Sequence, residues 1–124
     1  CGFAGHLLGD YWFQQREIWL SWAIAEALVG FGIGLFWQKF DVCGEGFHSR
    51  QGLLFEVVQV GANAAAWLLA APLLDMAFYG QSAEKVFLQG AEAFLLNTVL
   101  TGVLGLLLLA AVSQCYLRLR RFRG

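Results

Sequence analysis

Glu26, Gln59, Asn63 and Asn97 lie inside runs that are otherwise apolar enough for lipid, and these side chains have the most to do chemically. Glu26 falls about eight residues into IWLSWAIAEALVGFGIGLFW, roughly 12 Å below the entrance at helical rise. An ionisable group near the centre of a membrane helix costs about 2.5 to 3.5 kcal/mol on insertion scales. Glu26 should therefore face protein or water and hold either a proton or a partner. Two uses follow: an ion- or proton-binding carboxylate, or an interhelical hydrogen bond or inter-subunit salt bridge. The second is the commoner.

The amides fall into lines. Glu56, Gln59 and Asn63 are spaced by three and four, and Ala66 and Ala70 continue them as a polar-to-small stripe. Asn97, Thr101 and Gly105 repeat every four residues, a close-approach face with an amide near its outer end. Ala23, Ala27, Gly30 and Gly34 form a third small-residue face. Such stripes can line a pathway, but they are also the ordinary material of helix packing in membranes. Glu26 and Asn97, at depths of about 12 and 9 Å, could touch.

Asp41, Cys43, Glu45 and His48 gather metal-capable side chains in one glycine-rich stretch, yet their spacing matches no zinc signature, so a solvated turn is the favoured reading. His6 and His48 are the only histidines and fall on opposite sides of the membrane in the topology below, which argues against a bis-histidine haem. Cys1, Cys43 and Cys115 are too scattered for a disulfide framework. With no Ser-His-Asp, HExxH or GxSxG arrangement, the chain is not read as an enzyme, and no metal is assigned. Whether pigment, haem or lipid is bound is not encoded in any motif.

The elements that position these groups are membrane helices. Of 124 residues, 59% are hydrophobic and 14% charged, against about 25% charged in soluble domains. Three segments qualify as spans, approximately 18–37, 53–78 and 91–116, within a single domain covering 1–124. The second contains Pro72, the only proline, which should kink it. QKFDVCGEGFHSRQG and YGQSAEKVFLQG separate the spans and read as loops. The opening GFAGHLLGDYWFQQRE, with His6, Asp10 and Arg16 at helical intervals, reads as an interfacial helix; the alternative is part of a further span.

Basic residues set the orientation. Lys39, Arg50, Arg118, Arg120, Arg121 and Arg123 lie on one side, and Arg16 and Lys85 on the other. Six against two places the N-terminus outside and the C-terminus in the cytoplasm. A processed start at Cys1 fits that topology, with lipidation the less favoured reading because no lipobox is visible.

The expectation is an all-α integral membrane protein: an antiparallel bundle of three transmembrane helices after a short N-terminal interfacial segment. Small-residue faces on all three helices exceed what one such bundle would use, which points to a non-catalytic small subunit packed within a larger membrane assembly. An oligomeric ion or proton conductor using Glu26 and a self-associating pilin-like or filament subunit are the alternatives. Expected partners are membrane lipids and other membrane subunits or copies of the chain; nucleic acid is not implied.

Overall fold

Three stretches are described by the computed structural model, residues 2–14, 18–44 and 46–123, and every regular element among them is helical. Helix α1 (Gly2–Gly9) runs into a wide π-type turn, Asp10–Gln14. Helix α2 covers Leu20–Gly34 and is followed by a 3₁₀ turn at Trp37–Phe40. A long rod comprises α3 (Ser49–Asn63), a π-helical stretch (Ala64–Ala70) and α4 (Ala71–Tyr79). Helix α5 occupies Ala83–Arg123, 41 residues or about 60 Å.

Local chemistry sets these limits. Helix α2 is 15 residues, about 22 Å, and occupies the centre of the segment 18–37. Gly30, Gly32 and Gly34 weaken its last turns, each by up to about 1 kcal/mol relative to alanine, and the chain tightens into the 3₁₀ turn. Helix α3 begins where the Gln51 side-chain oxygen accepts the His48 backbone N–H at 3.2 Å. Pro72 has no N–H and its ring crowds the turn before it. The rod passes it by widening upstream, so that the Ala71 N–H bonds the Ala66 carbonyl, five residues back.

One sequence expectation changes here. The stretch read as the second loop is a turn only at 80–82: Gly80, at φ +61°, ends α4, and α5 starts at once with the Val86 N–H on the Ser82 carbonyl. The opening segment, read above as interfacial, is helical over Gly2–Gly9. Gly2 packs beside the Glu26 carbonyl and Asp10 bonds the Trp19 N–H, so α1 runs antiparallel along α2. That contact leaves none of the α1 residues buried. Arg16 and Glu45, used above for orientation and for the loop cluster, lie outside the described residues.

The core is built of small residues around one indole. Ala25, Val29, Ala66, Trp67, Ala71 and Ala93 are buried together, with Trp22, Ile33 and Phe94 against them. Close approach depends on missing side chains: a Cβ on Gly90 would strike the Trp67 carbonyl, and one on Gly105 the Phe55 ring. The rest of α5 faces outward, with Leu95, Leu96, Val99, Val103, Leu104, Leu107 and Leu108 all more than half exposed. The rod Ser49–Tyr79 and α5 are each long and apolar enough to cross a membrane.

Candidate functional site

At the end of the bundle where α2 begins and α4 stops, polar groups from distant parts of the chain converge. Asp75, buried in α4, accepts hydrogen bonds from the Ser21 hydroxyl and, at 3.0 Å, from the Trp22 indole N–H. Asp10, also buried, accepts the Trp19 backbone N–H at 3.1 Å, and its carboxylate lies 3.5 Å from His6 Nε2, within ion-pair range of a protonated imidazole. The Tyr79 hydroxyl accepts the Leu20 N–H at 3.0 Å. These carboxylates thus serve as caps and braces for a helix start that lacks a capping side chain of its own.

Aromatic rings line the same end. Trp22 meets Trp67 edge to face at 5.3 Å, Trp19 at 6.3 Å and His6 at 6.2 Å, while Trp19 and Tyr79 lie 5.1 Å apart. Each such pair adds about 0.5 to 1.5 kcal/mol beyond area burial. The cluster does not fill its space. A recess of about 220 Å³ opens between His6, Asp10, Trp19, Trp22 and Gln89, and a second of about 320 Å³, also using Trp19, lies among Ile18, Tyr79 and Gln81. Buried Trp67 Nε1 and Gln89 Oε1 have no hydrogen-bond partner among the described residues. The unpaired Gln89 acceptor beside the Trp19 and Trp22 rings suits a planar heteroaromatic ligand with polar edges.

The residues singled out by sequence lie mostly elsewhere. Gln59 and Asn63 are buried on α3, where the Gln59 amide donates to Glu56 at 2.9 Å and to the Thr98 carbonyl at 3.3 Å, and the Asn63 amide to the Gln59 carbonyl at 2.9 Å. The Asn97 amide donates to the Ala93 carbonyl of its own helix at 2.9 Å. Glu26 is partly buried on the α1 side of α2, within electrostatic range of His6, and no hydrogen bond joins it to Asn97. Ala23 is fully buried and Ala27 partly so, whereas Gly30 and Gly34 open outward, and it is Gly32 that meets Ala62. Thr101 is partly buried on α5, and Gly105 lies under the Phe55 ring. Among the described residues no three His, Cys, Asp or Glu side chains converge on a metal-sized site.

What sequence reading missed is the pairing of Asp10 and Asp75 with the tryptophans. Both acids stand near segment ends, where a charge ordinarily meets water, and only the spacing of Trp19 and Trp22 beside Ser21 hinted at another use.

Comparison with known proteins fixes the class. A family model described as the S component of ECF-type riboflavin transporters matches residues 1–114. The UPF0397 protein of Lactobacillus gasseri is 42% identical over 112 residues, 90% of this chain and 60% of that protein. The UPF0397 protein of Lacticaseibacillus casei is 39% identical over 90% of this chain and 60% of its own length. That of Streptococcus agalactiae is 41% identical over 91% of this chain and 62% of its own length. The chain thus spans about 60% of the length of these curated relatives. No solved structure matches it.

The family is one of integral membrane transport components, not of enzymes. It overturns the reading as a non-catalytic packing subunit, and with it the Glu26 ion conductor and the pilin-like filament subunit. Small-residue faces and an intramembrane carboxylate occur in any close-packed membrane bundle, so they carried no information about a ligand. The chain belongs to the S-component family of ECF-type riboflavin transporters.

Proposed function

We propose that the chain forms the outward-facing substrate pocket of an ECF-type transporter's S component and takes a planar heteroaromatic vitamin of the riboflavin kind. The observation that carries this is the open recess lined by Trp19 and Trp22 with the unpaired Gln89 oxygen, backed by Trp67 behind Trp22 and continued by the neighbouring recess of Trp19 and Tyr79. Trp19 and Trp22 meet the ligand's faces while the unpaired Gln89 oxygen meets its polar edge. Asp75 and Asp10 act as positioning residues, holding Trp22 and the start of α2.

Three crossings by α2, the α3–α4 rod and α5 fit this use. Lys39, Arg50, Arg118, Arg120 and Arg121 gather at one end, and Lys85 lies near the other, which supports a cytoplasmic C-terminus. The aromatic pocket then faces outside, where a scavenged vitamin arrives. The outward apolar face of α5 supports contact with lipid and with the other membrane subunits of such a transporter.

The test is a riboflavin titration of the purified full chain in detergent, followed by tryptophan emission. Binding is expected to quench the cluster, saturably, because the isoalloxazine absorbs where indoles emit. Lack of saturable quenching, together with lack of heat on calorimetric titration, would overturn the assignment.

A further inference from the structure

A recess of about 670 Å³ lies at the opposite end of the bundle from the aromatic pocket, between Lys39, Arg50, Gln51, Leu53, Leu54 and Val57. We infer that it holds an anionic phospholipid, its phosphate between Lys39 and Arg50 and an acyl chain along α3. Three observations carry this.

Depth is the first. The Phe47 N–H bonds the Ser113 hydroxyl at 2.9 Å, and Leu117 lies against Gly46. The start of α3 is therefore level with the point on α5 where the apolar run ending at Val112 gives way to RLRRFR. That transition marks the headgroup layer.

Charge is the second. No salt bridge among the described residues reaches Lys39 or Arg50; Asp41 ends the 3₁₀ turn that carries Lys39, and Glu56 turns to the α5 side, where it accepts from the Gln59 amide. Lys39 Nζ lies 5.9 Å from the centre of the Phe36 ring. Arg50 and Gln51 belong to the first turn of α3, so the positive end of a 15-residue helix adds to both cations.

Shape is the third. Below the cations the wall is apolar: Leu53 and Val57 are 68% and 64% exposed on successive turns, a track for a hydrocarbon chain. A soluble anion has no use for that track, and a protein partner would leave both cations needing matched acids.

The experiment is native mass spectrometry of the full chain in detergent, titrated with phosphatidylglycerol or phosphatidylcholine of identical acyl chains. Phosphatidylglycerol should be retained about tenfold or more over phosphatidylcholine, the preference that two cations near a headgroup supply. The double variant Lys39→Gln with Arg50→Gln should lose that preference. A tail variant, Arg118→Gln with Arg121→Gln, should keep it. Helicity and riboflavin quenching, read on the same samples, report folding and the separate pocket. Equal retention of both lipids, survival of the preference in the double variant, or its loss in the tail variant would each overturn the inference. Displacement by inorganic phosphate would reassign the site to a free anion, and protection of an Arg50→Cys thiol only by a bound partner subunit would reassign it to a protein interface.

Discussion

The outer end of the bundle and its middle use polar side chains in opposite ways. In the middle, Glu56, Gln59 and Asn63 bond mainly along their own helix, and a single long contact reaches the Thr98 carbonyl of α5. At the outer end the hydrogen bonds cross between segments, Ser21 and Trp22 to Asp75, Trp19 to Asp10 and Leu20 to Tyr79, and only the His6–Asp10 contact is local. A stripe bonded mainly along its own helix supports that helix and lets a neighbour pack, even though Glu56 Oε1, Asn63 Oδ1 and Thr98 Oγ1 stay unpaired among the described residues. Contacts gathered from separate segments instead fix a shape, and here that shape encloses unfilled space beside the unpaired Gln89 oxygen.

The sharpest way to break this contrast is Asp75→Ala. It strips the Ser21 hydroxyl and the Trp22 indole of their buried acceptor, at about 1 to 3 kcal/mol for each stranded donor. A loss of about 3 kcal/mol in unfolding free energy is expected from chemical denaturation in detergent, against about 1 kcal/mol for Asn63→Ala in the middle, the usual scale of an intramembrane hydrogen bond.

That difference also explains what the sequence let through. Period and length mark helical stretches: the segment 53–78 falls inside the rod Ser49–Tyr79, and the segment 91–116 inside α5. The polar stripe on α3 was legible for the same reason, since i, i+3 and i+4 neighbours are written in one stretch. The pocket was not, because Asp10, Ser21 and Asp75 meet only after three segments fold back on one another. Glycine spacing likewise put Gly30 and Gly34 on the small face of α2, whereas register against Ala62 makes Gly32 the one that meets a neighbour within the chain.

Packing offers a second test, with a smaller effect. Gly105→Ala places a methyl into the Phe55 ring and should cost about 1 to 3 kcal/mol by overpacking, read as a lower melting temperature. Gly30→Ala meets open space and should instead stabilise by up to about 1 kcal/mol, the difference in helix propensity. If both alanines behaved alike, the assignment of inward and outward faces would need revision.

The finest probe keeps the ring and removes one atom's function. Trp22→Phe retains most of the stack on Trp67 but loses the indole donor to Asp75. Riboflavin affinity should fall about fivefold, close to 1 kcal/mol, in calorimetric titration.

The central claim is that ligand binding belongs to the outer cluster and not to the polar stripe in the middle. The most direct measurement is riboflavin affinity of Asp75→Asn beside Glu56→Gln, each an isosteric neutralisation of one carboxylate. The account predicts a loss of about tenfold or more for Asp75→Asn and less than about twofold for Glu56→Gln, a separation exceeding about 1 kcal/mol. Equal losses, or the larger loss at Glu56, would contradict it.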